Sequence, residues 1–417
     1  MANSQTINPE LRRVQKAAFG NQLALFSIGV LALFSGFVLF EPAPYEFAAA
    51  LFIPFFFIAG LTYSSVLAAP TALLIAFFIG GLLSSLIAPE LDVAITHVLI
   101  TGFLALTALF FAAMIASDPG PRLQRATHAY ALSAVIVSLL GVLGYLGKIP
   151  FADTFVLYDR AKSTFKDPNV FSAFLIYPMV YALLCVLMGT LRQTLIWGIV
   201  LLILAAGLFL SYSRGAWGGF AFSAVFAVFL SFIVNRSAVI RARILLLSVI
   251  GVLIMLGLIF TLLSIDQVSS MFSERAQLTL PYDEGQFGRL NRQFIGFSMA
   301  LENPLGIGFR AFAKIFGEDT HNIYLQGFLT YSWVGGISYA ALIVITLIRG
   351  FGVSLRATPW RNFSIAIYAT FFGMALQGWL IDTDHWRHWF MLLGMLWGII
   401  AYESRARRMV TSAAPRS

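Results

Sequence analysis

The chain has 417 residues, of which 59% are hydrophobic and only 11% charged, with a mean hydropathy of +0.85. So few polar groups cannot cover a water-soluble globule, which leaves a lipid-exposed fold. The formal net charge of +8 would point to nucleic acid in a soluble protein; in a membrane protein it carries meaning only once sorted by side. The apolar stretches are continuous rather than alternating, so they predict helices and not barrel strands. In chain order they fall near 21–40, 47–66, 71–88, 92–115, 127–146, 170–190, 195–211, 216–234, 244–264, 322–348, 363–381 and 387–402, about twelve transmembrane helices in an all-α polytopic protein. The N-terminal residues Met1 to Gly20 are polar, so the first apolar run reads as a retained helix and not a removable signal peptide. The single cysteine, Cys185, lies inside an apolar run and excludes an intrachain disulfide or a cysteine metal site.

An even number of spans puts both termini on one side, and charge chooses the side. The loops on the terminal side carry Arg12, Arg13, Lys16, Arg122, Arg125, Arg192, Arg236, Arg241, Arg243, Arg349, Arg356, Arg361, Arg405, Arg407, Arg408 and Arg416, against Glu10, Asp118 and Glu403. The opposite side holds the other acids, among them Glu41, Glu46, Glu90, Asp92, Asp153, Asp159, Asp283, Glu284, Asp319, Asp382 and Asp384. The positive-inside rule makes the termini cytoplasmic. Two long connections then lie outside, 147–169 and 265–321. Long loops on a rigid scaffold concentrate function. The organisation expected is one integral membrane unit, with helices over 1–264, a large outer loop over 265–321, and three helices and a tail over 322–417.

Within the large loop, residues 286–302 read as an amphipathic helix lying on the membrane surface. Phe287, Leu290, Phe294, Phe297 and Leu301 form one apolar stripe, and Arg289 and Arg292 sit together on another face. Asn303-Pro304 stops it. Arg214, in SerTyrSerArgGlyAlaTrpGlyGly from Ser211, lies at the exit of an apolar segment, where an arginine is costly unless it snorkels or faces a polar cavity. His321, at the junction of loop and helix, is the side chain best suited to accept a proton near neutral pH. LysAspProAsnValPhe from Lys166 opens a helix, with Asp167 and Asn169 as capping residues on the correct side for a substrate contact. His97 reads as a packed or hydrogen-bonded residue, and the carboxylates and histidines of 382–388 as a metal signal of low specificity. No Walker loop, dinucleotide glycine pattern or nucleophile elbow is present, which argues against a nucleotide donor.

AspProAsn at 167–169, SerArgGly at 213–215, GlyArg at 288–289, ProLeuGlyIleGly at 304–308, and HisAsn at 321–322 with Tyr324-Leu325-Gln326, in this order and on one side, resemble the O-antigen ligase and polymerase superfamily of bacterial envelope glycosyltransferases. The resemblance implies a fold like the C-type membrane glycosyltransferases, in the inner membrane, with a periplasmic active site. The implied donor is a glycan on undecaprenyl diphosphate, passed to an acceptor hydroxyl with inversion and without metal, nucleotide or other cofactor. Lipid A core is the acceptor for a ligase and another glycan for a polymerase; membrane lipids surround the protein and nucleic acid has no part. By residue match, Arg214 and Arg289 grip the diphosphate and His321 is the general base, while Arg292, Asn322, Tyr324, Asp167 and Asn169 complete the expected substrate-binding set. One departure concerns Ser332, which stands where ligases often have a glycine; against a polymerase, one outer loop dominates rather than two of similar size. A transporter or flippase of lipid-linked sugar is the alternative of another class, but inverted repeats and midplane charges are not evident.

Overall fold

The computed structural model describes residues 9–275 and 288–413, with side chains described over 18–275 and 288–409. The described residues form fifteen α-helices and one small hairpin. The helices are α1 Pro9–Phe34, α2 Pro44–Ile58, α3 Ala68–Ser85, α4 Leu91–Ser117, α5 Pro119–Tyr145, α6 Pro168–Met188, α7 Leu191–Leu210 and α8 Arg214–Val234. They continue with α9 Ala238–Leu263, α10 Asp266–Arg275, α11 Arg289–Glu302, α12 Ala311–Phe316, α13 Ile323–Ser354, α14 Arg361–Gln377 and α15 Arg387–Ala413. Strands β1 (Val156–Leu157) and β2 (Arg160–Ala161) pair antiparallel inside the 147–167 connection.

Each of the twelve expected apolar segments overlaps a helix, but 21–40 and 47–66 run past the ends of α1 at Phe34 and α2 at Ile58. Among the described residues, eight helical segments are long and apolar enough to cross a membrane, and two further apolar helices, Ala18–Phe34 and Pro44–Ile58, are shorter. Several helices overrun the expected bounds: α1 begins at Pro9, α5 at Pro119 and α9 at Ala238, and α15 runs to Ala413. Hydropathy marks the stretch that suits hydrocarbon, whereas helical hydrogen bonding continues through polar residues beyond it. For α5 the extra turns begin with proline at the first helical position, where the missing N–H costs nothing.

Helices distant in sequence pack together. α3 lies against α13, α4 against α15, α8 against α14, and α6 between α7 and α8. The outer α9 buries only Ile244, which leaves its apolar side chains facing outward, as expected of a lipid-facing helix.

A break in α13 explains one motif. Tyr331 (φ −117°, ψ 15°) and Ser332 (φ 62°, ψ 176°) are not helical. The Trp333 N–H therefore donates to the Pro304 carbonyl at 2.9 Å, and the Leu329 carbonyl accepts from Ile307 N–H at 2.8 Å and Gly308 N–H at 3.2 Å. ProLeuGlyIleGly at 304–308 is thus the loop that satisfies the broken turn. Its glycines have φ of +80° (Gly306) and +85° (Gly308), and a Cβ at 308 would lie 2.4 Å from Ala88 Cα. Only glycine combines that conformation with that approach.

The expected amphipathic helix is α11. It ends at Glu302, with Asn303 as its cap and Pro304 following. Leu290, Phe294, Phe297 and Leu301 are all exposed on it, while Arg292 is only 5% exposed. The stripe faces outward, ready for an acyl boundary, and the opposite side docks on α13. Residues 286 and 287 of the expected helix, and with them Phe287, lie outside the described residues, as do Asp283 and Glu284.

Candidate active site

Arg214 is the first residue of α8 and Arg289 the first of α11. Both line one cavity of about 860 Å³. Two further arginines line it, Arg160 from β2 and Arg275 from the end of α10, with Asn169 and Gln377. No carboxylate is among its described lining residues. A concentration of guanidinium groups beside two helix N-termini, where backbone N–H groups carry partial positive charge, selects an anion. The floor is apolar, built by Trp217, Phe222 and Leu376.

The local folding follows from the chain. α7 ends at Leu210, and Tyr212 (φ 48°) turns the backbone so that α8 restarts with Arg214 at the rim. Arg160 is buried; its Nε donates to the Ser211 carbonyl at 2.7 Å and an Nη to Asn169 Oδ1 at 2.8 Å, which ties the α7–α8 corner to the start of α6. Asp167 caps α6, its Oδ1 accepting from Asn169 N–H at 2.6 Å. Gly218 faces the cavity, and a Cβ there would meet nothing within 4 Å. The buried Gln377 Oε1 has no hydrogen-bond partner among the described residues.

His321 stands beside this cavity rather than in its lining. Its backbone is left-handed (φ 49°), and Asn322 then caps α13 by accepting from Tyr324 N–H at 3.0 Å and Leu325 N–H at 3.3 Å. The imidazole Nε2 is 3.8 Å from Glu318 Oε2, and Nδ1 is 3.9 Å from Asp382 Oδ2. Asp382 directly follows Ile381, which lines the cavity. Burial, reinforced by the positive field of Arg289, lowers the His321 pKa below 6.5, and Glu318 opposes the shift. The ring is therefore neutral near pH 7 and able to accept a proton.

All five expected substrate-binding residues are engaged within the protein, Asn169 through Arg160 as described. Arg292 donates to Glu318 Oε2 at 2.5 Å, Asn322 and Asp167 cap helices, and the Tyr324 hydroxyl donates to the Ala375 carbonyl at 2.6 Å. Arg160, Arg275 and Gln377 were not singled out in the sequence. The two arginines did carry a signal, being basic residues in the two long connections expected on the side where such residues are disfavoured.

His97, Asp384 and His385 offer ligand atoms within 4.8 Å of one another. Here those atoms bond mainly to protein groups. His97 Nε2 lies 3.1 Å from Asp384 Oδ2, the Tyr331 hydroxyl donates to the same oxygen at 2.6 Å, and His385 Nε2 lies 3.0 Å from Thr101 Oγ1. The network fastens α4 to the α13 break and to the connection before α15, in keeping with a hydrogen-bonded His97.

A nearly all-helical protein with several helices long and apolar enough to cross a membrane and a cationic cavity at one end is the class these features define. Residues 199–340 match the family model described as O-antigen ligase, which supports the O-antigen ligase and polymerase superfamily. The matched region runs from α7 into α13 and takes in Arg214, Arg289, Arg292 and His321. No curated protein matches the chain.

Proposed function

We propose that the chain is an inner-membrane glycosyltransferase of twelve spans and C-type fold, with cytoplasmic termini, that moves a glycan from undecaprenyl diphosphate to a hydroxyl of lipid A core at the periplasmic face. The observation that carries this reading is the meeting of Arg214 and Arg289, 75 positions apart in the numbering, in one cavity with His321 beside it. As the glycosidic bond breaks, its electron pair stays on the diphosphate. Guanidinium groups held there stabilise that developing charge more than they stabilise the ground state. Arg160 and Arg275 extend the same field. The acceptor oxygen forms its bond to the anomeric carbon from the opposite face, which inverts that centre, and its proton passes to His321. Such base assistance is worth roughly 10²–10⁴-fold.

Joining of glycan repeat units uses the same chemistry with a different acceptor. Ser332, in place of the glycine usual among ligases, keeps that second reading in play. Purified full-length protein in liposomes, given lipid-linked glycan with and without lipid A core, separates them. Product on lipid A supports a ligase, and longer lipid-linked chains support a polymerase. Neither product, together with movement of the lipid across the bilayer, supports a transporter and overturns the reading. Transfer that persists in a chelator supports chemistry without a dissociable metal.

A further inference from the structure

A second cavity, of about 810 Å³, opens at the same end of the bundle. The two share walls. The connection before α6 lends Arg160 to the first and Lys166 to the second; the connection before α15 lends Ile381 to the first and His385 to the second. Between those two sits Asp382, the residue 3.9 Å from His321 Nδ1.

The electrostatics of the two cavities are opposite in kind. The first gathers four arginines, with no acid among its described lining residues. In the second, Lys166 pairs with Glu41 at 2.6 Å and Arg387 with Glu46 at 2.6 Å, so its charges cancel. A neutral ligand rich in hydroxyls suits it better than an anion, because each paired carboxylate keeps lone pairs to accept a hydrogen bond from a hydroxyl. Trp386 and His388, their rings stacked with centroids 5.2 Å apart, line the cavity as well. His388 is 2% exposed, and its Nε2 has no hydrogen-bond partner among the described residues. A buried polar atom left in that state is costly unless something entering the cavity completes it. An aromatic wall beside carboxylates and an unsatisfied imidazole offers both an apolar surface for sugar C–H groups and polar atoms for hydroxyls.

We infer that the second cavity seats the saccharide acceptor and delivers its hydroxyl to His321 from the side opposite the donor diphosphate. This rests on the transferase reading above. The donor then needs the first cavity alone, so the two substrates are separable by mutation.

The test uses full-length protein in liposomes with lipid-linked glycan as donor, and as acceptor whichever of lipid A core or a second lipid-linked glycan supports transfer. His388→Leu removes the unsatisfied nitrogen with an apolar side chain that the fold tolerates, and Ile100→Trp fills the cavity from the α4 side. Both are expected to raise the acceptor KM by about tenfold or more, as loss of a recognised polar contact or of pocket space does, with the affinity for undecaprenyl diphosphate unchanged. Arg214→Lys in the same assay is expected to lose kcat and leave the acceptor KM unchanged. Unaltered acceptor KM in both cavity variants, at wild-type thermal stability, overturns the acceptor site while leaving the transferase reading intact. Full transfer by Arg214→Lys and His321→Ala overturns both.

Discussion

Glu318 accepts a hydrogen bond from the buried Arg292 guanidinium at 2.5 Å, and the same oxygen lies 3.8 Å from the imidazole of His321. The pairing with Arg292 holds the Glu318 carboxyl below its ordinary range and keeps it anionic. Glu318 thus supplies the negative charge that partly offsets burial and Arg289 at His321.

This arrangement sets the expected pH profile. Only neutral imidazole accepts the acceptor's proton, so activity is lost as pH falls through the His321 pKa. Because that pKa is lowered, the acid limb of kcat/KM should lie below 6.5. Glu318→Gln removes a charge that raises the pKa and should move the limb to still lower pH. Rates in buffered liposomes between pH 4.5 and 8, a range chosen about the ordinary imidazole value, decide it. A limb displaced upward in the variant argues against His321 as the base.

Arg214→Lys and Arg289→Lys each keep a positive charge and lose the planar fork. If the two guanidiniums act on charge that develops as the diphosphate leaves, the loss should fall mainly on kcat, by about 10²–10³-fold for each, the scale seen when one transition-state donor is removed. Single-turnover rates with saturating donor measure this. A defect confined to donor KM assigns the arginines to ground-state binding.

Gly218 tests the cavity itself. It faces open space in α8, so Gly218→Leu should fold without a clash and gain about 0.8–1 kcal/mol in helix propensity. The added side chain nevertheless occupies the donor cavity. Melting in detergent should be unchanged or higher while transfer drops at least tenfold, a size typical of blocked pocket space. Wild-type transfer by a well-folded Gly218→Leu protein rules this cavity out as the donor's.

Much of this was legible in the sequence because it rests on short-range regularities. Continuous apolar runs located the helices, period-3.6 spacing located α11, and Asn303-Pro304 its end. The cost of an arginine at the exit of an apolar segment marked Arg214. What escaped was set by contacts between distant segments. Nothing local tells that Arg160 would reach the Ser211 carbonyl, that Tyr331 and Asp384 would meet, or that Arg292 would turn inward to Glu318. Asn322 and Tyr324 carry motif identity, yet their visible contacts are a helix cap and a carbonyl on α14. Motif matching alone does not separate residues that touch a substrate from those that position the residues that do.

Ser332 joins sequence and structure at one position. Its φ of 62° and ψ of 176° fall in a region essentially reserved for glycine, and a non-glycine residue there stores about 1–3 kcal/mol. Its Oγ is also buried without a hydrogen-bond partner among the described residues. Ser332→Gly relieves both, against the roughly 0.5–1 kcal/mol that glycine's greater freedom in the unfolded chain takes back. A net gain of about 1 kcal/mol is expected, visible as a higher melting temperature in detergent. Ser332→Ala discriminates the causes, because alanine loses the hydroxyl but keeps the strained backbone. It should melt below the glycine variant. If alanine stabilises as much as glycine does, the buried hydroxyl and not the break in α13 is the source of the strain, and the loop at 304–308 is then held by a relaxed turn.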